Sequence, residues 1–185
     1  ELEEIEFPEP FGNLEAFQTS GGTSTLPQTF LGKVKELEYK TIRYKGHCNI
    51  IKAIFDLGFD SSDKIIVADC EVSPREVLEN QLVKTLSYDD TKDVTLVRIE
   101  IIGKIGENKK KLTYQIIDYY DEKNNLTSMM RMTAFPASII AQMMANGTIT
   151  EKGVIVQEFN VPSDKMFEEL KKRNITIEEK IEDIN

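Results

Sequence analysis

From about residue 34 to 44 the chain alternates, with Leu37, Tyr39, Thr41 and Arg43 on one face and Glu36, Glu38 and Lys40 on the other. That period predicts an extended strand with its Leu37 face inward. Arg43 then ends a core-facing row, where an unpaired cation is costly, so it is expected to point into a cleft that supplies a partner. Gly46 interrupts the strand, Ile50, Ile51, Ile54 and Leu57 recur at helical spacing, and Gly58 supplies a C-terminal cap. Ser73-Pro74-Arg75-Glu76 reads as a capping box with proline at the first helical position, and Leu78, Leu82 and Leu86 form the stripe of the helix it opens. Residues 94–102 and 112–120 alternate as two strands, with Gly106-Glu107-Asn108 as the turn between them. Pro136 stands near the start of a third predicted helix, whose apolar side carries Ile139, Ile140, Met143 and Met144 and which Asn146-Gly147 ends. Ser163 caps a fourth, with Met166, Phe167 and Leu170 inward, and Ile175, Ile177 and Ile181 keep period two through a closing strand.

Hairpins separated by helices, with one-sided alternation in place of continuous Val/Ile runs, predict an α+β domain: a mixed, largely antiparallel sheet covered by helices on one face. Val97, Ile99 and Ile101 line a sheet face for which the sequence offers no second helical layer, so a homodimer through the sheet is expected. The linker-like stretches are the acidic N-terminus, Glu1-Leu2-Glu3-Glu4-Ile5-Glu6, and Thr19 to Gln28.

The 185 residues suit one domain over residues 1–185, able to bury about 70% of its unfolded surface. The formal charge of −9 argues against nucleic acid or an anionic membrane as partner, because both require a cationic face. No apolar run approaches the roughly 20 residues of a membrane span. The start at Glu1, without Met, basic n-region or apolar h-region, is expected of a piece cut from a longer protein. Cys48 and Cys70 lack Cys-x-x-Cys spacing and read as free thiols in a reducing cytoplasm. With His47 the single histidine, His-rich zinc and non-haem iron sites are not assembled, and a Ser-His-Asp triad would have to use His47. No metal site is expected.

Three segments could carry chemistry. Thr19-Ser20-Gly21-Gly22-Thr23-Ser24-Thr25-Leu26-Pro27 stacks hydroxyls around two glycines that let backbone N–H groups approach an anion. A plain Ser/Gly turn has the same composition, and the spacing matches neither a dinucleotide fingerprint nor a P-loop. Thr41-Ile42-Arg43-Tyr44-Lys45-Gly46-His47 places an arginine at a strand end beside a helix N-terminus, where carboxylates bind. Its other reading is an internal salt bridge for Arg43 and a surface position for His47. Ser128 to Pro136 leads a second cation, Arg131, into a helix start, with an internal acid as the alternative partner; the methionines around it are packing. Two such arginines make a clamp for a substrate carboxylate, which the planar fork of arginine binds best. No Gly-x-Gly-x-x-Gly follows a strand, so the chain carries no dinucleotide site of its own.

Taken in order, Leu14-Glu15-Ala16-Phe17, Thr19 to Pro27, Thr41 to His47, Met130 to Pro136, and Ala141 to Ile149 with Glu151-Lys152-Gly153 resemble the C-terminal domain of the saccharopine dehydrogenase (saccharopine reductase) family. The resemblance covers almost the whole chain, and the Thr-Ser-Gly-Gly-x-Ser-Thr-Leu-Pro loop is most similar to the lysine 6-dehydrogenase branch. It implies a fold like the C-terminal domain of glyceraldehyde-phosphate dehydrogenase. It also implies an oxidoreductase whose N-terminal Rossmann domain, missing here, holds NAD or NADP while this domain binds the amino-acid substrate and forms the oligomer. The family's Arg-Tyr-x-Gly-His stretch falls on Arg43, Tyr44, Gly46 and His47, and its Arg-x-Thr-x-aromatic-Pro stretch on Arg131, Thr133, Phe135 and Pro136.

The resemblance thus implies Arg43 and Arg131 on a substrate carboxylate, Thr41 and Thr133 as hydrogen-bond donors, and Ser20, Gly21, Gly22, Tyr44 and His47 in the same substrate site. His47 is the candidate acid/base within the chain; the other location for that group is upstream of Glu1. Met132, Ala134 and Lys45 depart from the family's Thr, Gly and Pro, and Ala134 stiffens the turn before the helix. On this reading the intact enzyme passes hydride from the amine-bearing carbon of lysine or saccharopine to NAD(P), giving an imine, and this domain alone is inactive. The alternatives are a free-standing amino-acid-binding or regulatory module, and an assembly domain without chemistry.

Overall fold

The computed structural model of the protein describes residues 2–19, 22–88 and 92–184. Two compact units form, Glu1–Asp89 and Asp90–Asn185. Their strands lie in three antiparallel sheets of three, two and three strands, so the class is α+β as the alternation predicts, with the strands shared among separate sheets. Among the described residues no helix is long and apolar enough to cross a membrane.

In the first unit, β1 (Leu2–Phe7), β2 (Gly12–Gln18) and β3 (Lys40–Tyr44) form one sheet in that order. The acidic N-terminus is therefore an edge strand and not a linker. Its register sets Ile5 opposite Leu14 and Phe7 opposite Gly12, so one face carries Phe7, Leu14 and Ala16, all buried, while the intervening glutamates keep the edge charged. The short α1 (Leu26–Phe30) begins inside the Thr19–Gln28 stretch and runs past its end, and β3 starts at Lys40, later than the alternation from residue 34 suggests. Helix α2 (His47–Asp56) ends as its sequence predicts: Gly58 takes φ +84°, its N–H donates to the Phe55 carbonyl at 2.8 Å, and Phe59 N–H reaches back to Ile54.

A hairpin that the sequence reading omits follows, β4 (Ile65–Val67) with β5 (Cys70–Val72). Ala68 and Asp69 at its turn both have positive φ, +48° and +63°, the signature of a type I′ turn built without the usual Asn-Gly or Asp-Gly pair. Helix α3 (Pro74–Leu86) starts at the predicted capping box, with Ser73 Oγ accepting from Glu76 N–H at 3.4 Å.

The second unit opens with a long hairpin, β6 (Val94–Ile105) and β7 (Asn108–Tyr119), closed by Gly106-Glu107, and β8 (Glu178–Asp183) adds to β7. Helix α4 spans Ser128–Ala145. It begins eight residues before Pro136, which the sequence reading places near its start. Thr127 Oγ1 accepts from Met130 N–H at 3.0 Å, and the Asp93 carboxylate takes the N–H groups of Ser128 and Met129 at 2.6 and 2.8 Å. Three of the orphan donors at the helix start are met there, which fixes the start despite the bond lost at Pro136. Gly147 at φ +78° ends the helix as expected.

After α5 (Gln157–Asn160), α6 (Ser163–Lys172) packs Leu170 and Met166 inward; Ser163 is its first residue and Pro162 occupies the cap position. The core is Ile139, Met143, Ile149, Leu170 and Ile175, each stabilising by about 2 kcal/mol through burial, with Ile116 and Ile177 packed against it. Register sets Val97 opposite Ile116 and Ile99 opposite Tyr114, whose ring meets Phe167 of α6 edge-on at 5.5 Å. The row Val97, Ile99, Ile101 therefore lies on the face that the helices cover at its Ile116 end, which corrects the expectation of a face without helices; Ile99 and Ile101, each 51% exposed, extend past the helical cover.

The turn at Ala68 gives a direct test. Ala68→Gly relieves a left-handed non-glycine residue and is expected to raise stability by about 0.5 kcal/mol in urea unfolding, while Ala68→Val lowers it; the opposite order would show a different turn.

Candidate functional site

In β2, Leu14 and Ala16 turn to the buried row, so Glu15 and Phe17 face the other way, and the pairing sets Glu15 opposite Arg43 and Phe17 opposite Thr41. One face of this sheet thus collects Glu15, Phe17, Thr41 and Arg43. The chain leaves β3 through Gly46, whose φ of +97° an L side chain rarely adopts, and enters α2 at His47. His47 stacks on Phe17, with ring centroids 6.2 Å apart and planes within 19°.

Glu15 is buried, and it is the residue that sequence reasoning missed. Its carboxylate accepts from Gly46 N–H at 3.0 Å and Cys48 N–H at 2.5 Å, closing the N-terminus of α2. The N–H groups of Cys48 and then Gly46 hold its carboxyl below the usual glutamate range. The positive helix end that would draw a substrate carboxylate is thereby filled by the protein's own acid. The signal was an acid standing between two apolar positions of an alternating strand.

The hydroxyl-rich loop comes to the same strand. Gln18 Nε2 donates to Glu38 at 3.3 Å, Thr19 and Thr41 share a hydrogen bond through their Oγ1 atoms at 2.7 Å, and a side chain at Gly22 would run into the Tyr39 ring. Ser20 and Gly21, which complete the predicted loop site, lie outside the described residues. In the hydroxyl pair one threonine donates and the other accepts, so the acceptor's own proton is available to a ligand. Arg43 is exposed, with Nη1 donating to its neighbouring Ile42 carbonyl at 2.8 Å, and among the described residues it has no carboxylate partner. The expected inward cleft position is replaced by an open one. Tyr44 is exposed beside it, opposite the buried Leu14 on the sheet's other face.

Arg131 and Thr133 fall in the second unit, in the first turns of α4. Arg131 is 5% exposed and all three guanidinium nitrogens donate: Nε to Asp118 at 3.1 Å, Nη1 to Asp121 at 2.9 Å, and Nη2 to Asp118 at 3.0 Å and to the carbonyls of Arg173 and Asn174 at 3.2 Å. Asp118 also accepts from Ser128 Oγ at 2.9 Å, and the Phe135 ring lies 5.6 Å from the guanidinium carbon. Two carboxylates already neutralise this cation, so the expectation that it grips a substrate carboxylate gives way to the internal salt bridge. Thr133 is exposed and points its hydroxyl at Met129 Sδ, 3.7 Å away. Among the described residues no three His, Cys, Asp or Glu side chains are grouped to hold a metal ion.

Two substitutions separate these roles. Arg131→Met leaves Asp118 buried without its counter-ion and is expected to cost about 3 kcal/mol, lowering the thermal midpoint by about 10 °C or more in calorimetry. Because the Glu15 carboxyl is lowered in the folded state, its contribution is complete above the unfolded value, near 4.3, and disappears as pH falls through the lower native value. Urea midpoints measured from pH 7 to 3 should therefore fall less steeply for Glu15→Gln, which starts from a lower plateau; parallel curves would remove Glu15 from the acid limb.

These threonines, His47 and Arg43 all lie in the segments that the family resemblance rests on. The family model of the saccharopine dehydrogenase C-terminal domain matches residues 1–175. The match runs through both compact units, and the chain belongs to the saccharopine dehydrogenase C-terminal domain family, a family of domains from NAD(P)-dependent oxidoreductases.

Proposed function

We propose that this chain is the substrate-binding and assembly domain of an enzyme that oxidises the amine-bearing carbon of an amino acid, with lysine or saccharopine as substrate, and that it works as a homodimer through its sheet. Family membership supports the oxidoreductase setting. The observation that carries the substrate role is Arg43: a guanidinium without a carboxylate partner among the described residues, on the sheet face that also bears the Thr19–Thr41 hydroxyl pair and the His47–Phe17 stack. A planar fork beside hydroxyl donors suits the α-carboxylate of an amino acid.

NAD(P), which the family implies, does not fit the residues present. The chain has no Gly-x-Gly-x-x-Gly, and its described strands pair only antiparallel, without the parallel strand-to-helix turn that seats a pyrophosphate. The work assigned to this chain is to orient the amino-acid end of the substrate. Arg43 binds the carboxylate, the hydroxyl of Thr41 or Thr19 donates to one of its oxygens, and His47, held flat on Phe17, is the candidate group for proton transfer. Arg131 enters as the buried pin of α4, not as a ligand.

In the full-length protein that carries this chain, Arg43→Gln is expected to raise KM for the amino acid by about tenfold or more with little change in thermal midpoint. That matches the loss of a charge-assisted hydrogen bond worth about 1.5–3 kcal/mol. Arg43→Lys, which keeps charge but loses the fork, should fall between. An unchanged KM in Arg43→Gln would rule out the assignment.

A further inference from the structure

Strand β6 is the edge of the second unit's sheet, whose order is β6-β7-β8, and it runs for 12 residues with its apolar positions half-buried or exposed. A long apolar edge of this kind is a template for another strand. The turn closes on the pair Ile105 and Asn108, which exchange backbone hydrogen bonds in a two-residue hairpin. Counting back by twos, the odd-numbered residues of β6 aim their amides at β7, and the even-numbered residues, Arg98 and Glu100 among them, aim theirs at the open side.

The sequence on that open edge is self-complementary about Ile99. From the order of Val97, Arg98, Ile99, Glu100 and Ile101, we infer that β6 pairs antiparallel with β6 of a second copy about a twofold axis at Ile99. The two copies then form one continuous six-stranded sheet, β8-β7-β6 joined to β6-β7-β8 of the partner. This register sets Arg98 opposite Glu100 of the second copy, twice by symmetry, and Val97 opposite Ile101, so the exposed ends of the apolar rows meet. Neighbouring registers lose this pairing: an axis at Arg98 or at Glu100 stacks like charges on the axis, one at Ile101 sets Arg98 against Lys104, and one at Val97 leaves Arg98 and Glu100 facing Leu96 and Val94 with no opposite charge. Arg98 already donates Nε to Gln115 at 3.1 Å and Glu100 already pairs with Lys111 at 2.7 Å, contacts to β7 that hold both side chains in place along the edge strand.

The inference rests on the dimer reading above, and the test tells the two apart. In sedimentation of the full-length protein, Arg98→Glu and Glu100→Arg should each weaken the dimer by about tenfold or more, since each turns two attractive pairs into repulsive ones. An equimolar mixture of the two variants should regain dimers, because every pair is then of opposite sign. With Cys48→Ser and Cys70→Ser in the background, Ile99→Cys should cross-link two copies under diamide, the on-axis pair being within disulfide reach. This readout stands on its own if a charge variant fails to fold. A dimer that none of these changes weakens, and that Ile99→Cys does not cross-link, overturns the edge pairing and leaves the dimer reading standing. A protein that sediments as a monomer overturns both.

Discussion

The second unit depends on one buried guanidinium. Arginine cannot shed its proton, so placing Arg131 out of water obliges the surrounding chain to bring acceptors to it. They arrive from the end of β7 through Asp118, from the following turn through Asp121, and from the link between α6 and β8 through two backbone carbonyls. Hairpin, long helix and closing strand are thus drawn to a single point. The apolar core around Ile139 and Ile175 supplies burial free energy but little direction, whereas a planar cation with several named acceptors fixes how α4 is rotated and placed along β7.

A related constraint organises the helix starts. Helices α2, α3 and α4 each begin with unpaired N–H groups, and the chain answers with Glu15, Ser73, and Thr127 together with Asp93. In a chain with 32 acidic residues, carboxylates are at hand to take these positions. A helix N-terminus in such a protein is therefore a weak pointer to an external anion unless its own acids are accounted for first, and here two of the three are closed by carboxylates from elsewhere in the chain.

What was legible in the sequence was local. The capping box at Ser73, the glycine ends of α2 and α4, the inward stripe of α6 and the long hairpin all follow from residues within a few positions of one another. Features set by distant partners were not legible. The start of α4 is fixed by Asp93, 35 positions from Ser128, and the proline that looked like its first turn sits inside it. The β4–β5 turn uses Ala-Asp where pattern reading looks for glycine. The two arginines show the limit most clearly: each precedes or opens a helix in a similar motif, yet Arg131 lies within reach of Asp118 while Arg43 has only the buried, already engaged Glu15 opposite it. Thr41, His47 and Arg43 were nameable as a segment, but their companions Phe17, Thr19 and Glu15 come from the strand pairing.

Glu15 has a consequence for how the first sheet finds its alignment. Along β2 the buried residues Leu14, Glu15 and Ala16 are consecutive, so burial on both faces bears on the register: Leu14 and Ala16 on the apolar side, and the acid on the other. A slip by one position would swing the carboxylate into the apolar row of Phe7 and Ala16 and leave the N–H groups of Gly46 and Cys48 facing leucine or alanine. The acid therefore works as a key for strand alignment, rejecting the wrong pairing by two desolvation penalties at once, and the price of keeping a charge inside the sheet is returned as a single permitted register.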